Sequence, residues 1–273
     1  MSRIDERFAS LKASGEGALV CFVTAGDPDI ETTRKIVLEL ERAGADIVEI
    51  GIPFSDPIAD GPSIQAASMR ALENGTNIPA VLSLVRSIRK ESELPIVLMT
   101  YYNPVLYYGI EQFAADSADA GVDGVIITDL TPEEAAEWRT AADCNKISAI
   151  FLLAPTSTDE RIRMIAGLAS GFIYCVSRTG VTGAQMEMAQ GIHELVSRIR
   201  AHTGKPIAVG FGISKPEHVR EVCEYADGAV AGSVLVNLIA EKSGSQDLLG
   251  DINDLVRALK GGASGQPPAA SRQ

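Results

Sequence analysis

The sequence predicts a single (β/α)8 barrel, and three observations lead to that prediction. Eight short apolar runs follow one another along the 273-residue chain. Amphipathic stretches with helical spacing separate these runs, as expected for alternating strands and helices. Eight such units in about 250 residues match the usual length of this barrel. No shift in composition and no linker divides the chain, so one domain is expected. A doubly wound open sheet of eight strands is the structural alternative.

The predicted strands are short, and several are apolar throughout, which is typical of parallel strands that are covered on both faces. Pro95 and Pro206 each stand at the start of a strand, where a missing backbone N–H is tolerated. The strands are predicted near residues 18–23, 46–50, 95–99, 123–127, 147–152, 171–176, 206–210 and 228–231.

Helices are predicted between the strands, from one-sided apolar stripes that pack on a sheet and leave the opposite face in water. An extra helix is predicted near residues 3–13, and a short one follows the eighth strand. A weak repeat, Ala43-Gly44-Ala45-Asp46 and Ala120-Gly121-Val122-Asp123, indicates helix ends at which Gly takes the C′ position. Ala226-Asp227-Gly228 opens the eighth strand in a similar way.

The barrel domain is predicted to span residues 1–260. The remaining residues, 261–273, are rich in Gly, Pro, Ser and Ala. That composition is typical of disordered tails, because such residues bury too little apolar surface to offset the entropy of ordering.

Charge and composition argue against several classes of protein. The net charge of −12 repels phosphate backbones and anionic lipid, so neither nucleic acid nor a membrane surface is an expected partner. No apolar run reaches the ~18 residues of a membrane span, and the N-terminus resembles no signal or transit peptide. The four cysteines have neither metal-ligand nor disulfide spacing. The cytoplasm is the expected location.

Two carboxylates, Glu49 and Asp60, are the candidate catalytic residues. Glu49 lies within a predicted buried strand, where an unpaired carboxylate is costly or keeps its proton. Side chains alternate along a strand, so Glu49 points into the barrel if Ile50 faces the helices. An apolar environment would raise its pKa and let it act as acid and base in turn. A structural Glu paired with an unseen Lys or Arg is the alternative.

Asp60 follows in a rigid, turn-rich loop that would return it over Glu49. Taken alone, it is equally consistent with a helix cap or a turn residue.

Three glycine-containing segments follow predicted strands six, seven and eight, at the end of the barrel where active sites lie. They are residues 177–183, 210–214 and 231–233, and the last leads directly into a helical stretch. The loops after strands seven and eight, with a helix N-terminus, are the usual phosphate site of barrels. Gly lets the backbone N–H groups approach the ligand closely. Ordinary βα turns are the alternative for each segment.

Two other aldolase mechanisms lack their residues at the predicted strand ends. A Schiff-base enzyme needs a Lys near the barrel mouth, but Lys146 and Lys205 lie at strand starts. A metal-dependent enzyme needs clustered His or acidic ligands, and the sequence places none there. Carbon–carbon bond chemistry here is therefore expected to use carboxylates without a metal or an imine.

The run from Glu49 to Pro62, continuing to Ile64 and Gln65, closely resembles the α-subunit of tryptophan synthase. The resemblance covers about residues 1–260, and further motifs occur in the family's order. It implies a (β/α)8 barrel that cleaves indole-3-glycerol phosphate to indole and glyceraldehyde 3-phosphate. It also implies a pyridoxal-phosphate β-subunit as partner, in an αββα assembly, and no cofactor in this chain. The supporting motifs are residues 22–28, 180–183, 210–213 and 232–233.

The same resemblance assigns roles to individual residues. Glu49 corresponds to the catalytic acid/base, and Asp60 to a second catalytic carboxylate at the indole N–H. Thr182 would meet Asp60 when the loop after strand six closes. The residues implied around the indole and glycerol are Phe22, Ile64, Tyr174, Thr182 and Phe211, and those implied at the phosphate are Gly183, Gly212, Gly232 and Ser233.

Three alternative functions are compatible with the sequence. The closest is a free-standing indole-glycerol-phosphate lyase on the same barrel. A binding or regulatory barrel without catalysis is disfavoured by the two carboxylates. A phosphosugar isomerase or epimerase would share the phosphate site but would not bind indole-propanol phosphate.

Overall fold

A computed structural model describes residues 2–176, 185–210 and 212–264, apart from the side chains of residues 185–190. Eight parallel strands close into one barrel in chain order, with the eighth strand paired to the first. The predicted (β/α)8 barrel is confirmed, and the open-sheet alternative is wrong. The strands are β1 (Ala18–Thr24), β2 (Ile47–Gly51), β3 (Ile96–Thr100), β4 (Gly124–Ile127), β5 (Ser148–Leu153), β6 (Ile173–Val176), β7 (Ile207–Gly210) and β8 (Gly228–Ala231).

Helices surround the barrel, and the glycine pattern of the sequence marks two of their ends. Gly44 and Gly121 take left-handed φ values of 104° and 92° at the helix C-caps, which glycine adopts without steric cost. The helices of the described residues are α1 (Arg3–Ser14), α2 (Ile30–Ala43), α3 (Pro62–Glu73), α4 (Ile78–Ile88), α5 (Tyr102–Tyr108), α6 (Ile110–Ala120), α7 (Ala136–Cys144), α8 (Asp159–Leu168), α9 (Gln185–Arg200), α10 (Pro216–Cys223), α11 (Ser233–Glu241) and α12 (Leu248–Ala263).

The apolar residues form two main cores, one on each face of the sheet. Val48 and Ile50 pack outward against the helices, whereas Ile47 packs inside the barrel. Helix α1 closes the amino-terminal end of the barrel, because Ile4 and Phe8 join the interior core. Burial of each large apolar side chain contributes about 1.5–3 kcal/mol, so this plug is a substantial source of stability. The opposite end is therefore the one left for a site.

The predicted domain boundary at residue 260 falls within helix α12. Helix α12 continues to Ala263, and both Gly262 and Ala263 are buried. A Cβ atom at Gly262 would lie 2.2 Å from the Pro216 carbonyl oxygen, so the missing side chain is what lets α12 approach α10. Residues 265–273 lie outside the described part of the chain. In the described part, no helix is long and apolar enough to cross a membrane.

Candidate active site

Glu49 is a buried acid on the inner face of β2. It stands in register with Phe22 on β1 and Val97 on β3, and it is 1% exposed. Within the described residues, neither carboxylate oxygen has a hydrogen-bond partner. Burial, together with the smaller effect of the nearby Asp60 charge, raises the pKa of Glu49 to about 8. The predicted inward orientation is confirmed, and no described Lys or Arg pairs with the carboxylate.

Asp60 lies in the loop between β2 and α3, at the carboxyl end of the barrel. Burial raises the pKa of Asp60 to about 6, although a hydrogen bond with Tyr101 lowers it in part. The Tyr101 hydroxyl also accepts a hydrogen bond from the Ala59 backbone N–H at 3.0 Å. Gln65 donates to the Asp60 carbonyl at 2.9 Å. These contacts fix the loop so that the Asp60 charge acts on Glu49.

Apolar side chains line the space around the two acids. Phe22 forms a small buried cluster with Ala67 of α3 and Val236 of α11, and Ile64 packs against it. Tyr174 on β6 belongs to the interior core. Its pKa is raised well above the usual value by burial and by the charges of Glu49 and Asp60, which indicates that it faces the same site. The structure thus brings Phe22, Ile64 and Tyr174 together with the acids.

Three of the four predicted phosphate residues, Gly212, Gly232 and Ser233, follow the neighbouring strands β7 and β8. Gly232 is the N-cap of α11 and, as a glycine, has no side chain with which to cap the helix start. Its Cα lies beside Phe22, because an added Cβ would be 3.7 Å from the Phe22 Cβ. Ser233 is the first helical residue, and Gly212 after β7 has a left-handed φ of 53°. The N-terminal N–H groups of a helix attract anions, so this geometry suits a phosphate.

Three predicted site residues, Thr182, Gly183 and Phe211, lie outside the described part of the chain. Conversely, Tyr101 is a site residue that sequence reasoning missed. It is 3% exposed, and its pKa is raised to about 12 by burial and by the Asp60 charge. Its position directly after β3 was the available signal, because side chains at strand ends face the barrel mouth.

Among the residues that the structure describes, no group of three or more His, Cys, Asp and Glu side chains is placed to hold a metal ion. The site is instead a pair of carboxyl groups in apolar walls, next to a helix N-terminus. Such a pair can donate and accept protons, and the adjacent amides can hold an anion.

Fold and site together define the class of protein: a (β/α)8 barrel with its polar groups gathered where barrel enzymes carry out their chemistry. The family model described as "Tryptophan synthase alpha chain" matches residues 8–263. The chain belongs to the tryptophan synthase alpha chain family. It is thus a carbon–carbon lyase of tryptophan biosynthesis, in a family that cleaves indole-3-glycerol phosphate to indole and glyceraldehyde 3-phosphate.

Relatives and solved structures agree with this assignment. The chain is 54% identical over 262 residues to a tryptophan synthase alpha chain from Geotalea uraniireducens (strain Rf4), covering 96% of this chain and 98% of the relative. One from Geobacter sp. (strain M21) is 55% identical with the same coverage. The crystal structure of subunit alpha from Legionella pneumophila str. Paris has a TM-score of 0.90 at 37% identity, covering 97% of this chain and 99% of that one.

Proposed function

We propose that Glu49 is the acid and base of the lyase reaction. Cleavage requires a proton on indole C3 and removal of a proton from the glycerol 3′-hydroxyl. A carboxyl group with a pKa of about 8 is mostly protonated at neutral pH, so it can give a proton first and accept one later. General acid–base catalysis of this kind contributes about 10²–10⁴-fold to the rate. Positioning of the substrate and exclusion of water supply the rest of the rate enhancement.

Asp60 stabilises the positive charge that develops on the indole ring. Its pKa of about 6 leaves it mainly ionised at pH 7, and it would accept a hydrogen bond from the indole N–H. Phe22, Ile64 and Tyr174 supply the apolar walls for the ring and glycerol.

The phosphate of the substrate binds to backbone N–H groups of Gly212, Gly232 and Ser233. The start of α11 carries the positive end of a helix dipole, which favours an anion despite the acidic charge of the whole chain. Gly183 and Thr182 lie outside the described residues, in the loop after β6. We expect Gly183 to bind the phosphate as well and Thr182 to meet Asp60 when that loop closes.

One observation carries the proposal: Glu49 is buried, has no described hydrogen-bond partner and lies within the influence of a second acid. The variant Glu49→Gln keeps the shape of the side chain but cannot transfer a proton. We expect it to bind indole-propanol phosphate in calorimetry and to lose cleavage by about 10²-fold or more. Turnover close to that of the unmodified protein would remove Glu49 from its role.

The proposed partner is a tryptophan synthase β-subunit, which would hold pyridoxal phosphate, in an αββα assembly. A crystal structure of tryptophan synthase from M. tuberculosis contains a chain with a TM-score of 0.88 to this one, at 34% identity, covering 97% of this chain and 100% of that one. Exposed apolar side chains near the barrel mouth support a docking surface: Ile58 is 82% exposed and Tyr107 is 94% exposed. A partner seated there would receive indole directly, and this chain would need no cofactor of its own.

A free-standing lyase differs from this proposal in one measurable property. Indole release by the purified chain should rise when the β-subunit is added. Full activity without the β-subunit would favour the free-standing enzyme.

A further inference from the structure

Helix α3 contributes to the site but is held only weakly by packing. Its buried residues are Ala67, Ser68 and Ala71, all of which have small side chains. They remove little apolar surface from water, so their contribution to anchoring the helix is small. The N-cap, Gly61, provides no side-chain hydrogen bond. Directed polar contacts must therefore do much to fix the position of this helix.

The strongest of these contacts is a two-point ion pair between Arg70 of α3 and Asp27 of the β1–α2 loop. Arg70 Nε donates to Asp27 Oδ1 at 2.8 Å, and Nη2 donates to Oδ2 at 2.7 Å. Asp27 is 2% exposed and has no part in the proposed chemistry. Within the described residues, α3 forms no other ion pair. Paired, parallel hydrogen bonds of this type fix direction as well as distance.

Asp27 is itself firmly placed, so it can serve as an anchor. The Gly26 N–H donates to Thr33 Oγ1 at 3.1 Å. Gly26 has a φ of 85°, and an added Cβ would lie only 1.9 Å from Thr76 Oγ1. Asn74, just after α3, donates to the Pro28 carbonyl at 2.5 Å. The loop after β1 and the far end of α3 are thus joined at several points.

We propose that Arg70 is a positioning residue for the lyase step, which sets the tilt of α3 and thereby places Asp60 and Ile64 relative to Glu49. Asp60 lies just before α3, whose first residue is Pro62. Arg70 is eight residues beyond Pro62, which is about 12 Å along the helix axis. Because a helix is rigid, a tilt at one end moves the other end. Weakening the Arg70–Asp27 ion pair therefore displaces the loop that carries Asp60. This inference rests on the roles proposed for Glu49 and Asp60.

The test is the variant Arg70→Lys, which keeps the charge but replaces the planar fork by a single ammonium group. Small displacements of a catalytic group are costly, so kcat should fall about 10-fold or more. The phosphate loops lie on other strands, so the dissociation constant of glycerol 3-phosphate, which lacks the indole ring, should change less than about threefold. Asp27→Asn, which preserves the shape of the anchor, should reproduce this split between rate and binding.

The matched control is Arg89→Lys. Arg89 likewise pairs with a buried aspartate, donating to Asp123 at 2.6 Å, but this pair lies at the strand starts, away from the site. We expect Arg89→Lys to lower the melting temperature and leave kcat unchanged. The proposal is overturned if Arg70→Lys keeps the original kcat, or if Arg89→Lys lowers kcat as much.

The same series separates this inference from the proposed function. Turnover by Glu49→Gln would refute the proposed function. An inactive Glu49→Gln variant, together with normal turnover by Arg70→Lys, would refute the role of Arg70 alone.

Discussion

Glu49 and Asp60 have the same functional group, yet the barrel gives them different charges near neutral pH. Glu49 is buried on the inner face of β2 and has a pKa of about 8. Asp60 lies in a half-buried loop beside the Tyr101 hydroxyl and has a pKa of about 6. At pH 7 one acid therefore mainly holds a proton while the other is mainly ionised. Separated pKa values of this kind assign one residue to proton transfer and the other to charge stabilisation.

The pH dependence of kcat/KM should be bell-shaped. Activity should rise with pH through about 6 as Asp60 ionises, and fall through about 8 as Glu49 loses its proton. The measurement is kcat/KM for indole-3-glycerol phosphate from about pH 5 to about pH 9.5, because Glu49 and Asp60 both titrate within this range. In Asp60→Asn the acidic limb should disappear and the alkaline limb should remain. An acidic limb that persists in this variant would assign it to the substrate phosphate.

The raised pKa of Glu49 should also make the protein less stable at alkaline pH. The folded state keeps a proton that the unfolded chain, with a pKa of 4.5, releases. The contribution of Glu49 to the free energy of unfolding is therefore fully present below pH 4.5, and it is lost as the pH rises toward 8. Between about pH 5 and 8, the unmodified chain should lose about 2–4 kcal/mol more free energy of unfolding than Glu49→Gln. Urea unfolding at both pH values measures this, and parallel losses would contradict the expectation.

Sequence reasoning could find Glu49 because alternation along one strand decides where its side chain points. The turn-rich loop indicated that Asp60 could return over Glu49, but a helix cap or turn residue fitted its sequence equally well, and only the resemblance to a family assigned it a catalytic role. Tyr101 was missed because its role depends on contacts with Ala59 and Asp60, residues on a different βα unit.

At the level of elements, the repeated Gly-X-Asp pattern has a structural purpose beyond ending helices. Asp46, just before β2, accepts the backbone N–H of Leu19 on β1 at 2.7 Å. Asp123, before β4, accepts the N–H of Ile96 on β3 at 2.8 Å. Asp227, which follows Tyr225-Ala226 and so lacks the glycine of the pattern, does the same for Ile207 on β7 at 2.7 Å. Each acid thus ties the start of its own strand to the neighbouring strand, and Asp46 also binds Lys260 of α12 at 2.8 Å.

Replacing one of these acids should reduce stability without changing catalysis. Asp46→Ala leaves the Leu19 N–H unpaired and leaves Lys260 with Glu16 as its remaining carboxylate partner, which should cost about 1–3 kcal/mol. The exposed pair Arg86–Asp119 offers a control, because Asp119→Ala should cost less than about 1 kcal/mol. Thermal unfolding measures both costs, and kcat should stay the same in both variants. A loss of kcat in folded Asp46→Ala would link this end of the barrel to the site.

The order and approximate bounds of the strands followed from the sequence, because apolar runs, strand-start prolines and helix-ending glycines all indicate local structure. The end of α12 did not. Gly261 and Gly262 suggested a flexible tail, but the close contact of Gly262 with Pro216 is a tertiary effect that composition does not reveal.

The whole molecule divides its tasks between the two ends of the barrel. The amino-terminal end carries the α1 plug and the aspartate contacts between strands. The carboxyl end carries the buried acids, the start of α11 and the exposed apolar residues Ile58 and Tyr107. This separation lets loops at the functional end vary without loss of the core, as is general for this fold.

Tyr107 offers the test of how this whole face meets a partner. Its ring is on α5, which directly follows β3, and it is 94% exposed. Since exposed aromatic side chains often dominate interfaces, Tyr107→Ser should weaken β-subunit binding about 10-fold or more. The rate of indole release by the isolated chain should not change, because Tyr107 contacts none of the described site residues. Arg163→Ser, exposed on α8, is the control and should leave binding intact. Titration of β-subunit activation measures both effects, and normal activation of Tyr107→Ser would place the docking surface elsewhere.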